Sequence, residues 1–100
     1  MSITTSESND GNLVTIHVSG RFDFAAHQEF LRAYKQHPRG EKSFIVDLRN
    51  TDYMDSSAMG MLLQLRDYGT KDHEMALLNS NDGVREILQI ANFDKIFKVA

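Results

Sequence analysis

The chain contains no cysteine, which removes disulfides, thiolate metal sites and cysteine nucleophiles together. That absence fits a reducing, cytoplasmic setting. Proline occurs once and glycine six times in 100 residues, so no long Pro- or Gly-rich linker divides the chain. Its length suits one domain, residues 1–100, large enough for a real core and too small for two. No apolar run approaches the roughly 20 residues that cross a bilayer. The opening Met1-Ser2-Ile3-Thr4-Thr5-Ser6-Glu7 lacks the basic region and apolar core of a signal peptide. Neither sign of charge dominates. The net charge is −3 and the Lys and Arg residues do not cluster, so there is no electrostatic footprint for nucleic acid. There is no Gly-x-x-x-x-Gly-Lys run and so no P-loop, and no Gly-x-Ser-x-Gly elbow, which argues against a hydrolase serine. His17, His27, His37 and His73 show no paired metal-ligand spacing. His37 and His73 read as solvated, and His27 reads as a surface residue on the first helix. No metal or cofactor is expected.

What remains is ordinary globular material, 41% hydrophobic and 25% charged, arranged with clear periodicity. Residues 3–7 read as a strand. Asn9-Asp10-Gly11-Asn12 is a turn. In residues 13–18, Val14, Ile16 and Val18 alternate with Thr15 and His17, as in a strand with one buried face. Together these predict an opening hairpin. Gly20 is expected to end the second strand. Asp23 then stands at the N-cap position of a helix over residues 24–37, with Ala26, Phe30, Ala33 and Tyr34 on one face. Pro38 and Gly40 stop it. Residues 44–48 form a nearly continuous apolar run, the pattern of a central strand covered on both faces. A helix over residues 57–68 follows. Residues 75–78 read as a short buried strand. Asn81 or Asp82 caps a third helix bearing Val84, Ile87, Leu88 and Ala91 on one face. Residues 92–95 read as a loop and 96–99 as a last short strand. Lys71-Asp72 and Arg85-Glu86 read as solvated charges. Alternation of strand and helix predicts an α/β sheet with helices packed on it.

The chemistry concentrates in Asp55-Ser56-Ser57-Ala58-Met59-Gly60, between the apolar strand and the second helix. Amides of a first helical turn lack intrahelical partners, and the helix dipole there favours negative charge. A hydroxyl at this point can cap the helix or carry a phosphate. A phosphate on Ser56 lands among free N–H groups and adds about −1.5 to −2 charges. Asp52 and Asp55 are close in sequence, and Asp23 opens at the same end of the sheet if the two strands are neighbours. The second helix holds more apolar residues than one buried stripe needs. Leu62 and Leu65 are assigned to the core. Met59 and Met61 are candidates for an exposed docking patch beside Ser56, with core filling as the alternative.

Ile45-Val46-Asp47-Leu48, followed by Tyr53-Met54-Asp55-Ser56-Ser57-Ala58-Met59-Gly60, resembles the signature of bacterial anti-sigma factor antagonists, the STAS domain proteins. Gly20-Arg21-Phe22-Asp23 is similar to that family's segment before the first helix, and Asn92-Phe93-Asp94-Lys95-Ile96-Phe97 to its closing stretch. The resemblance spans nearly the whole chain. One departure is Ala58, where many members carry Gly; Ala is a strong helix former and leaves the site intact. The fold implied is a STAS-type single domain, a mixed sheet of four to five strands with helices on one side. The function implied is partner switching by a monomeric, non-enzymatic protein. The unphosphorylated form binds an anti-sigma factor or serine kinase, phosphorylation releases it, and a PP2C-type phosphatase resets it. The phosphorylated position implied is Ser56, with Ser57 as second choice. Asp23, Asp55, Ser57, Met59 and Met61 are the partner-binding candidates, Asp23 doubling as a cap. The chain is also similar to short single-domain members that govern biofilm or stress programmes in Gram-negative bacteria.

The competing class is a receiver-like phospho-aspartate domain or small enzyme, using Asp47, Asp52 and Asp55 near strand ends around a divalent cation. A receiver also needs a Lys after a later strand. The chain there reads Asn79-Ser80-Asn81.

Overall fold

The computed structural model describes residues 2–70 and 75–100. The readings of Lys71, Asp72 and His73 as solvated lie outside the described residues. The described elements run β1 (Ser2–Glu7), β2 (Leu13–Phe22), a 3₁₀ turn (Phe24–Ala26), α1 (His27–Lys35), β3 (Ser43–Met54), α2 (Ser56–Tyr68), β4 (Ala76–Leu78), α3 (Asp82–Ile90), a 3₁₀ turn (Phe93–Lys95) and β5 (Lys98–Val99). The five strands lie in sequence order. β1 pairs antiparallel with β2 through the expected hairpin, and β2, β3, β4 and β5 run parallel.

This order dictates where the helices go. Each parallel pair is joined by a helix, and such crossovers are right-handed. Strands added always in the same direction therefore place α1, α2 and α3 on one face. Burial follows that geometry. Val14, Ile16 and Val18 on β2, and Phe44, Val46 and Leu48 on β3, are sealed beneath the helices. Their alternates Thr15, His17, Ile45 and Asp47 lie on the opposite face and are only partly buried. The expectation that residues 44–48 are covered on both faces is thus overturned. Ile45 fills a half-open position, so the apolar run imitates a doubly covered strand.

The helix face is cemented by aromatic rings. Phe22 and Phe30 lie 5.1 Å apart, Phe30 and Tyr34 5.9 Å, and Tyr34 and Tyr68 4.9 Å, in the tilted or edge-on contacts that rings prefer. His37 belongs with them and is not solvated as expected. Its ring lies 6.2 Å from that of Phe44, and its Nε2 is 3.7 Å from Glu7. Arg85 also departs from the solvated reading, because it is half-buried and reaches the Ser80 carbonyl.

Two strands run further than their periodicity indicates. β2 continues past Gly20, whose φ of +84° suits glycine, to Phe22. β3 continues past Leu48 to Met54. The β2–β3 register shifts twice, between His17 and Ser19 and between Gly20 and Arg21, with β3 carrying the extra residue each time. Such bulges bend a strand and redirect its side chains. Here they bring Phe22 opposite Met54, so that both strands finish together. The residues that follow them, Asp23 and Asp55, emerge side by side.

Candidate functional site

The site is built where β2 and β3 end. The Asp55 amide donates to the Phe22 carbonyl at 3.4 Å, tying the two exits together. Each exit is capped by an aspartate in extended conformation. Asp23 accepts from the Ala25 amide at 3.0 Å and caps the 3₁₀ turn leading into α1. Asp55 accepts from the Ala58 amide at 3.1 Å and caps α2. In open α/β sheets, clefts at the carboxyl ends of parallel strands are the usual place for ligands.

The expected beginning of α2 shifts by one residue. Ser56 is the first helical residue and Asp55 the cap, one residue before the start at Ser57 that the sequence predicts. The consequence is chemical. Ser56 is exposed, and its hydroxyl has no hydrogen-bond partner among the described residues, because the capping duty falls to Asp55. Ser57 is half-buried beside it. The third helical amide, of Ala58, is taken by Asp55, and the fourth, of Met59, by the Asp55 carbonyl at 3.2 Å. The amides of Ser56 and Ser57 precede those two, at a helix end whose first amides have no intrahelical acceptor.

The surroundings are acidic and aromatic. Asp23 and Asp55 are half-buried, and Asp52 is exposed on the second bulge. Arg21 offsets part of this charge. Its Nε lies 3.5 Å from Asp23, and its guanidinium sits 4.2 Å from the centre of the Tyr53 ring. Tyr53 is 40% exposed and Phe24 70% exposed, the latter stacked on His27 at 5.6 Å. Sequence reasoning missed Phe24, Tyr53 and Arg21 as site residues. The available signal was weak: Phe24 follows a cap and falls outside the apolar stripe of α1, and Tyr53 directly precedes the Asp-Ser-Ser run.

The α2 candidates separate. Met61 is 4% exposed and belongs to the core with Ala58, Leu62 and Leu65, so its assignment to a docking patch is corrected: it points under the sheet-facing side of the helix. Met59 is half-buried and packs against the core edge. Leu63, one turn further along on the same side, is 40% exposed. The surplus apolar surface of α2 is therefore Met59 and Leu63.

The three carboxylates of the receiver-like reading are not gathered. Asp47 projects from the open face of β3, Asp52 is solvent-facing several residues further on, and Asp55 is occupied as a cap. Among the described residues, no group of three or more His, Asp or Glu side chains is placed to hold a metal ion. Also among them, no helix is long and apolar enough to cross a membrane.

Comparison with known proteins agrees with this architecture. The STAS domain family model matches residues 4–100. The chain is 48% identical over 101 residues to a STAS-domain containing protein of Pseudomonas aeruginosa, with all of both chains covered. Among solved structures it is similar to an anti-sigma factor antagonist from Mycobacterium paratuberculosis, with a TM-score of 0.75, 19% identity, and 98% of this chain and 85% of that one covered. It is also similar to the anti-sigma factor antagonist SpoIIAA in its unphosphorylated form, with a TM-score of 0.64, 22% identity, and 89% and 83% covered. At those identities the structures attest the fold, and the five-stranded mixed sheet with three helices is the fold they share. The family match over nearly the whole chain, together with the full-length relative, establishes that this chain belongs to the STAS domain family.

Proposed function

We propose that this protein is a phosphorylation-switched anti-sigma factor antagonist, a non-enzymatic cytoplasmic binding module in a partner-switching pathway. In its unmodified state the face around Ser56 docks on an anti-sigma factor or serine kinase and thereby frees a regulator. Phosphorylation of Ser56 by that kinase releases the partner. A PP2C-type phosphatase restores the binding form. The output is transcriptional control of the kind that governs biofilm or stress programmes.

One observation carries the reading: the Ser56 hydroxyl is exposed, without a hydrogen-bond partner among the described residues, and relieved of capping by Asp55. Such a hydroxyl is accessible to a transferase, and its loss to esterification breaks no native hydrogen bond. The phosphate enters beside the leading amides of α2, which favour an anion, so the fold tolerates it. The same dianion joins Asp23, Asp52 and Asp55 on a face whose apolar members are Phe24, Tyr53, Met59 and Leu63. A contact surface of that kind accepts a partner through its greasy residues and repels it when the charge rises by about −1.5 to −2. At physiological salt the field decays over about 8 Å, so the effect is confined to partner groups that touch this face. Catalysis of phosphoryl transfer resides in the kinase, which leaves Asp55 free to serve as cap and contact.

The test is incubation with ATP and a serine kinase of the anti-sigma factor type that binds the unmodified protein, followed by site mapping in a tandem mass spectrometer. Phosphate on Ser56 is the expected result. Phosphate confined to other residues overturns the assignment.

A further inference from the structure

Away from the Ser56 face, the open side of the sheet carries a second polar cluster. In the β1–β2 register, Ser6 sits opposite Thr15, which makes it a diagonal neighbour of His17; in the β2–β3 register, His17 sits opposite Asp47. The side chains meet in a line. Ser6 Oγ lies 3.2 Å from His17 Nε2, and His17 Nδ1 lies 3.0 Å from Asp47 Oδ2. The other Asp47 oxygen accepts from Asn79 Nδ2 at 3.0 Å and from the Arg49 amide at 3.0 Å. Both oxygens are therefore engaged and the carboxylate is oriented. Partial burial pushes the Asp47 carboxyl up, but the Asn79, Arg49 and His17 hydrogen bonds outweigh it, and the group stays below its ordinary 3.8.

The protonation pattern follows. An ionised Asp47 can only accept, so neutral His17 presents its N–H from Nδ1 and keeps the lone pair on Nε2. The Ser6 hydroxyl then donates to Nε2. Nucleophile, base and orienting carboxylate stand in hydrogen-bond sequence, which is the geometric signature of an activated hydroxyl. Ser6 is exposed on the outermost strand, so acyl donors reach it. Further along the same face, two residues past Thr15 on β2 and not touching Ser6 itself, an open groove of about 510 Å³ is lined by Ser8, Leu13, Ile45, Ala76 and Lys98, among others.

We propose that Ser6 is an acylation site, modified by activated esters or thioesters with an apolar acyl group, with His17 as general base and Asp47 as a positioning residue. Ser6 Oγ attacks the acyl carbonyl carbon and forms the new C–O bond, while its proton passes to His17 Nε2. The bond from that carbon to the leaving oxygen or sulfur breaks. The departing alcohol or thiol takes the proton from Nε2, leaving an ester on Ser6 and neutral His17.

Ser56 provides an internal control, being an exposed serine with no base on its hydroxyl among the described residues. The test uses an alkyl fluorophosphonate, whose serine adduct is stable, on the full chain, with rates mapped by mass spectrometry. Base assistance is worth about 10²–10⁴-fold in evolved enzymes; here Ser6 is expected to label at least about tenfold faster than Ser56, a conservative floor. His17→Gln brings Ser6 down to the Ser56 rate. Asp47→Asn lowers the rate and removes the Nδ1–H tautomer seen in long-range ¹H–¹⁵N spectra of His17, and Asp47→Glu restores part of both. His17 is part-exposed, so its replacement leaves the core intact, which unchanged far-UV circular dichroism verifies. Equal labelling of Ser6 and Ser56, or a Ser6 rate indifferent to His17→Gln, overturns the proposal.

Discussion

Replacing Asp55 and Ser56 one at a time separates the residue that holds α2 from the residue that is free to be modified. Asp55→Ala deletes the oxygen that accepts from the Ala58 amide at 3.1 Å. Ala58 is fully buried, so that amide has little recourse to water. Loss of an N-cap costs about 1 kcal/mol, in a range of about 0.5–2. Loss of the carboxylate's interaction with the helix dipole adds about 0.3–1 kcal/mol. A total of about 1–2 kcal/mol is expected. With a urea m-value of about 2 kcal/mol/M, the middle of the range for small domains, the midpoint falls by roughly 0.5–1 M. Each kcal/mol lowers Tm by about 4–8 °C at this size. Asp55→Asn keeps a capping oxygen and recovers most of the loss. Ser56→Ala removes no hydrogen bond and introduces a better helix former, so its midpoint matches or slightly exceeds that of the parent. The assay is urea denaturation followed by far-UV circular dichroism. If Ser56→Ala loses as much as Asp55→Ala, the Ser56 hydroxyl is a structural cap and the reasoning about a free acceptor fails.

Other outcomes follow from the same geometry. Met61→Ala opens a cavity in the core and costs about 2–5 kcal/mol, whereas Met59→Ala costs clearly less, as paired thermal melts report. Phe24→Ser leaves stability within about 0.5 kcal/mol, since the ring is mostly in water, but weakens partner binding in a calorimetric titration. Asp47 contributes a pH dependence of definite sign. Its folded carboxyl titrates below 3.8, so between the two values the native state binds fewer protons than the unfolded one. Its stabilisation is complete above the unfolded value and is lost as pH falls through the folded one. Urea midpoints at neutral and strongly acidic pH are thus expected to differ less for Asp47→Asn than for the parent.

Much of this architecture is legible in the sequence. Val14, Ile16 and Val18 alternate because one face of β2 is covered. Asp23 announces a helical start, and of the two caps open for the third helix, Asn81 and Asp82, Asn81 serves; their side chains satisfy first-turn amides, from Ala25 and Val84 respectively. What escaped has physical causes. Asp55 and Ser56 are both good caps, so composition alone does not choose between them, and the one-residue difference decides which side chain is free. β3 reads as doubly buried because Ile45 is apolar at a half-open position. Its extension to Met54 depends on bulges that arise only when β2 and β3 are paired. Met59 and Met61 are indistinguishable on a helix with apolar residues on several sides; only the packing against the sheet sorts them. His17 and Asp47 are 30 residues apart and meet through strand pairing, a contact no local pattern predicts. His37 reads as solvated because it follows the end of α1, yet it folds back onto Phe44.

The most direct test of the switch compares the affinity of the unmodified protein with that of protein bearing phosphate at Ser56 alone, for the same anti-sigma factor or kinase, by calorimetry, with ¹H–¹⁵N spectra of both forms recorded alongside. The account predicts a loss of at least about tenfold in affinity, about 1.4 kcal/mol, while amide shifts away from the start of α2 stay put. Equal affinities for the two forms, or a phosphorylated protein that has lost its folded spectrum, contradict it.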